Sequence, residues 1–425
     1  MKKSVSYALL VPVVLGLSAT FNFARAASPV PAGVRIVPCD QPVKSAKRGV
    51  CMNEMSGADF MALSPSVSWW YNWHYADTQN PPKAANMEFL PMAWGARPED
   101  LAGLKTYLAN HKPSHILTLN EPNLKGQAFI TPQQTADFYK QVKAVADGYK
   151  IPVVGPHMAL GSGTGDSITA MDPIEKKEVT YTFMVPFVKA FMNYAGEGEV
   201  GAVAAHSYGN FGELNWMTGM LHDTFQRPVW VTEFANWNAS SPEDERDYLI
   251  QSVDLFERSP FVQGYAWFKE RVNDNPKISL LDKESGKLTM LGDAYVHMPV
   301  HDPNVFYRLP GRLQAESFLT MEKPNIGLTK DGDGFLDIAP EGNSTIDYNI
   351  AVERAGQFSL GFRCKTAQGT KFDVLSGDKV LASATAQTDG WQTATTSVTL
   401  PKGTQTIGVR PSAFAHLNWM EFDKK

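Results

Sequence analysis

The sequence has few of the features that mark a metal, redox or nucleic-acid site. Only 3 of its 425 residues are cysteine, and neither a C-x-x-C nor an H-E-x-x-H spacing occurs, so a catalytic metal has no support in the sequence. Lysine and arginine are not clustered, and together they number 39 against 44 acidic residues. Because nucleic-acid affinity rests on neutralising phosphates, we do not expect this mildly acidic chain to bind nucleic acid.

Long apolar runs are also missing, except near the start of the chain. Lys2 and Lys3 precede an apolar run (7–17) and an Ala-Arg-Ala site (24–26), which predicts a secretory signal over residues 1–26. The run is shorter than the roughly 18 apolar residues that a membrane helix needs. Loss of the three basic residues of this leader would shift the formal charge from −5 to −8. We expect a secreted or periplasmic monomer with no membrane contact after signal removal.

The three cysteines predict one covalent link. Cys39 and Cys51 are close in sequence and would meet an oxidising compartment after export, so we expect a disulfide between them. A loop of that size would stabilise the fold by roughly 3 kcal/mol in the chain-entropy model. Cys364 is expected to be a buried core thiol.

Short apolar segments alternate with helical patterns up to residue 297. Apolar runs without helical spacing are typical of strands that are buried on both faces of a parallel sheet. The predicted strands are Arg48–Met52, Val67–Trp73, Glu88–Trp94, His115–Asn120, Pro152–His157, Ala202–Tyr208, Val229–Glu233 and Gln263–Phe268. The predicted helices are Ala58–Leu63, Pro98–Asn110, Thr131–Tyr149, Thr180–Tyr194, Leu214–Phe225 and Glu243–Arg258. The alternation predicts an α/β fold, a (β/α)8 TIM barrel over residues 27–297.

The pattern changes beyond residue 297. Residues 298–310 contain three prolines and no periodicity, as expected of a linker. Residues 311–425 consist of short alternating segments broken by glycine and aspartate. This spacing of turn signals predicts an all-β sandwich of the jelly-roll type.

Two predicted strands end on a glutamate. Glu121 follows the fourth strand in Asn120-Glu-Pro-Asn, and Glu233 ends the seventh. A barrel places the carboxyl ends of its strands around one mouth, and a carboxylate pair there is what glycoside hydrolysis requires. The alternatives are that Glu121 only caps the following helix and that Glu233 forms a structural salt bridge.

Other polar and aromatic residues lie at the same strand ends. Asn120 could hold a sugar 2-hydroxyl, and Tyr208 could donate a hydrogen bond to Glu233 and keep it ionised. His206 is either a further site residue or a core histidine. Aromatic faces stack on pyranose rings, although alternation turns about half of those in 69–73 away from the mouth. The remaining candidate substrate-binding residues are Asn72, His157, Trp69, Trp73, Trp94, Trp237 and Trp267.

Six blocks follow one another in order between about Arg48 and Trp267. They are Ser68-Trp-Trp-Tyr-Asn-Trp73, Leu90-Pro-Met-Ala-Trp94, Leu119-Asn-Glu-Pro-Asn123, His206-Ser-Tyr208, Val231-Thr-Glu-Phe234 and Tyr265-Ala-Trp-Phe268. Through these blocks the chain resembles glycoside hydrolase family 128, the bacterial and fungal β-1,3-glucanases. The resemblance implies Glu121 as acid/base and Glu233 as nucleophile in retaining hydrolysis of β-1,3-glucan, with no cofactor for catalysis. A polar insert at 161–177 departs from the family pattern.

Four segments stand out in the C-terminal part: Leu313-Gln-Ala-Glu316, Ala355–Arg363, Gly390-Trp-Gln-Thr393 and Leu417–Phe422. Through these segments it resembles family 6 carbohydrate-binding modules. The resemblance implies a sugar site at Trp391 and His416, with Leu328 where the family has a tyrosine. It also implies a structural calcium at Gln314, Glu316 and Asp423.

The prediction is a secreted endo-β-1,3-glucanase whose partner is β-glucan. One alternative is a hydrolase of a β-1,4-linked polysaccharide, because related barrels share the glutamate pair and differ in their loops. The alternative from another class is a non-catalytic glucan-binding protein.

Overall fold

A computed structural model describes residues 33–425, so the predicted signal at 1–26 lies outside the described residues. Helices and strands alternate in its first part. The helices are α1 Gly57–Leu63, α2 Pro98–Leu108, α3 Pro132–Tyr149, α4 Met184–Ala195, α5 Phe211–Phe225, α6 Pro242–Arg258 and α7 Met290–His297. The strands are β1 Arg35–Val37, β2 Ser45–Cys51, β3 Val67–Tyr71, β4 Glu88–Phe89, β5 Met92–Ala93, β6 Ile116–Thr118, β7 Val153–Val154, β8 His157–Met158, β9 Ile168–Asp172, β10 Lys177–Tyr181, β11 Val203–Ser207, β12 Val229–Phe234 and β13 Val262–Phe268.

Most of these strands pair in parallel. One sheet has the order β4-β3-β2-β13-β12-β11-β8 and a second has the order β5-β6-β7. All eight predicted strands are present, but the third and the fifth are each divided in two. Pro91 separates β4 from β5, and Pro156 separates β7 from β8; because proline has no N–H to donate, it interrupts a ladder.

Local signals fix where the helices begin. Ser56 and Thr131 each form a capping box ahead of α1 and α3, which satisfies N–H groups that the first helical turn leaves unpaired. Prolines at the first position start α2, α3 and α6, where the missing N–H costs nothing. None of the helices in residues 33–425 is long and apolar enough to cross a membrane.

The first part has two apolar clusters. The larger lies between the strands and the helices and contains Trp70 and Trp267. The smaller contains Trp69, Tyr71 and Trp230, and it draws on β2, β3, β5, β6, β7, β11, β12 and β13. Alternation along a strand explains the division, because neighbouring residues such as Trp69 and Trp70 point to opposite faces.

The remainder of the chain is all-β, as predicted. Its strands are β14 Val305–Leu309, β15 Gly311–Gln314, β16 Thr320–Met321, β17 Ile326–Leu328, β18 Leu336–Ile338, β19 Ile346–Val352, β20 Gly356–Thr366, β21 Lys371–Ser376, β22 Lys379–Thr385, β23 Gly390–Leu400, β24 Gly403–Pro411 and β25 Ala415–Lys424. One sheet has the order β1-β14-β19-β24-β21-β22 and the other β17-β18-β25-β20-β23. A separate apolar cluster, which includes the buried Cys364, accompanies these strands.

The predicted linker contains a strand, and the start of the described chain lies against it. Strand β14 falls within 298–310, and β1 pairs with it in parallel from Arg35 opposite Val305 to Val37 opposite Tyr307. Val43 also packs in the cluster of the all-β part. Residues 35–43 therefore pack with the end of the chain.

The predicted disulfide is wrong. Cys39 and Cys51 are both buried and unpaired. Cys39 belongs to the apolar cluster of the all-β part, and its thiol donates to the carbonyl of Arg308. Cys51 lies on β2, and its thiol donates to the carbonyl of Trp267. Because the two residues pack in different apolar clusters, their nearness in sequence does not bring them together.

Candidate active site

Glu121 stands at the end of β6 on an unusual stretch of backbone. Leu119 and Glu121 have φ values of 59° and 44°, in the left-handed region that non-glycine residues rarely occupy. Asn120 between them pairs in parallel with His157, which ties this turn to the neighbouring strand. Strain of this kind is kept where the surrounding structure holds it, and here it presents the Glu121 carboxyl at the strand end.

Glu233 lies on β12 and accepts hydrogen bonds from three aromatic side chains. Trp73 Nε1 donates to Oε1 at 2.7 Å and the Tyr71 hydroxyl at 3.2 Å, while the Tyr208 hydroxyl donates to Oε2. Burial and the adjacent Glu233 carboxylate raise the pKa of Tyr71 and of Tyr208 well above the ordinary value, so both hydroxyls keep their protons. Donors therefore hold both oxygens of the Glu233 side chain in place.

His206 on β11 joins the two carboxyl groups. Its Nδ1 lies 2.9 Å from Glu121 Oε1 and 3.4 Å from Glu233 Oε2. Burial disfavours the charged imidazole, but Glu233 and Glu121 outweigh it and raise the pKa of His206. Carboxyl oxygens of Glu121 and Glu233 and a ring nitrogen of His206 all lie within 4.8 Å of one another.

Behind His206, a buried chain of hydrogen bonds continues away from the carboxyls. His206 Nε2 lies 3.2 Å from Thr232 Oγ1, which in turn lies 2.6 Å from His157 Nδ1. Burial and the neighbouring His206 lower the pKa of His157 well below its usual value, so His157 is neutral. A charged His206 then donates from both nitrogens, and the Thr232 hydroxyl donates onward to His157.

A cleft of about 770 Å³ opens over these groups, large enough for several sugar rings. Its lining residues are Trp73, Trp94, Asn120, Glu121, Leu124, Gln127, Ala159, Leu160, Gly161, His206, Tyr208, Gly209, Glu213, Glu233, Asn238 and Phe268. Aromatic, amide and carboxyl side chains of this kind suit a polyhydroxylated ligand.

The donor set can also be compared with a metal site. Glu121, His206 and Glu233 form the one group in residues 33–425 whose spacing suits an ion. Both Glu233 oxygens already accept hydrogen bonds from Trp73 and Tyr208. The arrangement therefore suits direct carboxyl chemistry.

Residues 49–295 match the family model described as the glycosyl hydrolase catalytic core. Among solved structures, the chain is similar to a subgroup II endo-β-1,3-glucanase of glycoside hydrolase family 128 (GH128) from Pseudomonas viridiflava. The two are 33% identical with a TM-score of 0.53, over 61% of this chain and 100% of that one. The chain belongs to family 128. A GH128 subgroup II endo-β-1,3-glucanase from Sorangium cellulosum is 27% identical, with a TM-score of 0.52 over 60% of this chain and 100% of that one. No curated protein matches this chain.

Six of the candidate site residues of this family 128 hydrolase do lie together. They are Glu121, Glu233, Asn120, His206, Tyr208 and the indole of Trp73, with Trp94 also on the cleft wall. Asn120 Nδ2 donates to Gln127 at 3.1 Å, whereas its Oδ1 is buried and has no partner. Trp237 is 37% exposed and packs edge-on against Tyr208, outside the cleft lining.

Three of the predicted substrate-binding residues, Trp267, Trp69 and His157, are wrong, because their side chains are buried in the fold. Trp267 is fully buried in the larger apolar cluster, between the strands and the helices, where its Nε1 donates to the carbonyl of Ile278. Trp69 is buried below the cleft, and His157 is buried beneath Thr232. Asn72 holds the loop after β3 by accepting from the N–H of His74. Asn72 is half-buried and outside the cleft lining, so its assignment to the substrate stays a prediction.

Sequence reasoning missed Tyr71, Thr232 and the cleft residues Gln127, Glu213 and Phe268. Tyr71 could have been found, because alternation along β3 places residue 71 on the same face as the candidate Trp69, against which it stacks. Glu213 and Gln127 lie in segments whose approach to the site depends on loop geometry, and no local pattern signals it.

In the all-β part, the predicted sugar site is partly assembled. The rings of Trp391 and His416 have centroids 6.3 Å apart, and the guanidinium of Arg363 lies 5.9 Å above Trp391. His416 Nδ1 lies 3.1 Å from Asp337. The side chain of Leu328 packs against the larger apolar cluster of the first part, so its apolar surface is used in that contact.

The predicted three-residue calcium site is wrong. Gln314 and Glu316 line one cavity of about 230 Å³, but Asp423 is exposed on β25. Gln314 pairs with Trp419, and Asp423 lies opposite Ser359. Four residues along a strand correspond to roughly 13 Å, which is too far for a shared ion.

Proposed function

We propose that the protein is a retaining endo-β-1,3-glucanase. The observation that carries the proposal is that Glu121 and Glu233 have carboxyl oxygens within 4.8 Å of each other in an open cleft. Retaining glycosidases hold their carboxyl groups roughly 5–5.5 Å apart, whereas inverting enzymes need about 6.5–9.5 Å to admit a water. The similar family 128 structures named above are endo-β-1,3-glucanases.

The contacts of the two glutamates support different roles. Glu233 accepts from Trp73, Tyr71 and Tyr208, which orients it as the nucleophile that attacks the anomeric carbon. Glu121 has one protein partner on its side chain, His206, and remains free to protonate the leaving oxygen. It then removes a proton from water as the covalent glycosyl-enzyme is hydrolysed.

Asn120 is suited to hold the sugar at the reacting position. Its Oδ1 is buried without a partner while Nδ2 is held by Gln127. An unsatisfied buried acceptor is costly, and a sugar hydroxyl would supply the missing donor. Hydrogen bonds to the 2-hydroxyl strengthen in the transition state, so Asn120 would raise the rate as well as orient the ring.

The two parallel sheets support a closed (β/α)8 barrel. Strand β4 pairs with β3, and β5 pairs with β6; in the same way β7 pairs with β6, and β8 with β11. If each proline-divided pair is one strand, the pairing returns to its start after eight strands. We assign residues 45–297 to this catalytic barrel and the all-β strands to a sandwich that includes residues 35–43. Export through the leader at 1–26 belongs to the same proposal.

Glu233→Gln tests the nucleophile. Loss of the attacking carboxylate should lower turnover of laminarin by several orders of magnitude, as measured by release of reducing sugar, while Glu99→Gln on exposed α2 leaves it unchanged. The first product of the unmodified enzyme should be the β-anomer by NMR. Near-normal activity of Glu233→Gln, or an α-anomer, would contradict the mechanism.

Substrate class is tested separately on laminarin, curdlan, barley glucan, mannan and cellulose. We expect activity on laminarin and curdlan. Activity on β-1,4 polymers alone would overturn the substrate while leaving the two-glutamate mechanism in place.

A further inference from the structure

An aromatic pair is exposed next to the cleft. Trp216 on α5 is 52% exposed, more than any other tryptophan in residues 33–425. Phe183, immediately before α4, stacks against it with ring centroids 6.1 Å apart and planes 22° apart. A large indole that is held by a partner ring and still faces solvent presents a flat apolar surface to a ligand.

Two neighbours connect this pair to the cleft. Glu213 lies one helical turn before Trp216 and lines the cleft, and residues three apart share a helix face. Gly161 also lines the cleft, and it pairs antiparallel with Phe183. The pair therefore continues the cleft wall formed by Gly161 and Glu213.

The part of the cleft wall that leads to Trp216 lies beside Glu121. Leu124 lies three residues after Glu121, and its N–H donates to the carbonyl of Glu121 at 3.0 Å. Leu160 and Gly161 follow β8, which pairs with the Glu121 segment through His157. The wall beside Glu233 is formed instead by Trp73 and Phe268. Because a general acid must reach the leaving oxygen, the leaving-group half of the substrate lies on the Glu121 side.

We propose that Trp216, backed by Phe183, is a sugar-stacking subsite that binds a glucosyl unit of the β-1,3-glucan chain on the leaving-group side of the cleaved bond. This inference rests on the proposed function. The indole of Trp216 stacks on the apolar face of one pyranose ring. Because the edge of the indole is exposed, the glucan chain can extend beyond this ring. The subsite lengthens the preferred substrate and takes no part in the chemical step.

The test compares Trp216→Ala, Trp216→Phe and the control Tyr149→Ala. Tyr149 is an exposed aromatic at the far end of α3, away from the strand ends that carry the site. The substrates are β-1,3-linked glucose oligosaccharides of three and seven units with a label at the reducing end. For Trp216→Ala we expect kcat/KM on the longer substrate to fall about tenfold, which corresponds to the roughly 1.4 kcal/mol of one lost stacking contact. The trisaccharide should be cleaved at the normal rate, and Trp216→Phe should keep most activity on both.

The labelled products identify the side on which the subsite lies. Loss of a leaving-side subsite should shift cleavage toward the reducing end and shorten the labelled product. A longer labelled product, equal losses on both substrates, or rates equal to those of Tyr149→Ala would each overturn the subsite. If the unmodified enzyme cleaves neither oligosaccharide, the proposed function fails as well, so the two failures are distinguishable.

Discussion

At the scale of single residues, His206 is the group whose charge links the two carboxyls. It faces Glu121 and Glu233 on one side and the neutral His157, through Thr232, on the other. Tyr71 and Tyr208 also contact this cluster through Glu233, and both stay protonated because burial and the Glu233 carboxylate raise their pKa values. The proton on His206 therefore depends mainly on the two carboxylates and on the acceptor that Thr232 provides.

Thr232→Val should weaken catalysis through His206. Thr232 Oγ1 accepts from the charged imidazole, so its loss disfavours that charge and lowers the pKa of His206. The charged form is present below this pKa and lost above it, so the alkaline limb of the kcat profile should move to lower pH. We expect kcat to fall roughly tenfold with little change in KM, and Thr232→Ser to restore both. A reduced kcat with an unshifted pH profile would contradict the role given to Thr232.

At the residue scale, prediction from sequence was incomplete. Glu121 and Glu233 were predictable because each ends an apolar strand. For Trp69 and Trp267 the sequence does not show which way the side chain points, because a strand buried on both faces has no polar alternation that distinguishes one face from the other. Thr232 belongs to a network that forms only when three strands are side by side.

At the scale of elements, α6 supports the loop that follows the nucleophile strand. Glu245 in its first turn is buried, and its Oε1 accepts from the N–H of Asn236 at 3.0 Å. Its Oε2 has no partner. Burial raises the pKa of Glu245 to about 8, so this carboxyl is protonated at neutral pH in the folded protein.

Glu245→Gln should remove a pH dependence of stability. Between the ordinary pKa of about 4.5 and the folded value of about 8, the folded state holds a proton that the unfolded state has lost, so stability falls as pH rises. The variant should be more stable than the parent by on the order of 1–3 kcal/mol at pH 8 and equal to it near pH 4. Urea unfolding across this range measures the difference. Glu243→Gln, exposed on the same helix, is the control, and an identical pH slope in parent and Glu245→Gln would contradict the assignment.

Element positions were largely predictable from sequence, since periodicity and capping are local. The exceptions are the divisions at Pro91 and Pro156 and the hairpin of β9 and β10. Strand β9 lies within the segment predicted as a polar insert, whereas β10 begins at the last residue of that segment and ends inside the predicted helix at 180–194. The strands of this hairpin show little core-facing pattern because most of their residues remain accessible.

At the scale of the whole molecule, the all-β part offers the aromatic surface of Trp391 and His416. We expect Trp391→Ala to lower activity on insoluble curdlan several-fold, because lost stacking costs about 1 kcal/mol, while soluble laminarin is cleaved normally. Rates on both substrates and the melting temperature are the measurements. Equal losses on both, with a lower melting temperature, would show that Trp391 serves only the stability of the fold.

The arrangement of the two parts was the least predictable feature. Proline content indicated a linker at 298–310, but β14 lies within it and pairs with β1. No pattern near residue 35 indicates a partner beyond residue 300. Pairing at that separation depends on where the intervening catalytic part brings its ends.

Strand β1 also constrains how the protein is made. Residues 35–37 leave the ribosome early, whereas their partners at 305–307 follow only after the whole catalytic segment. The first strand must wait unpaired while that segment folds, and the sheet is completed when the last strands arrive. The catalytic segment is thus inserted between two paired strands of the all-β part, β1 and β14. A single cleavage of the polypeptide would therefore not separate the catalytic part from the all-β part with both intact.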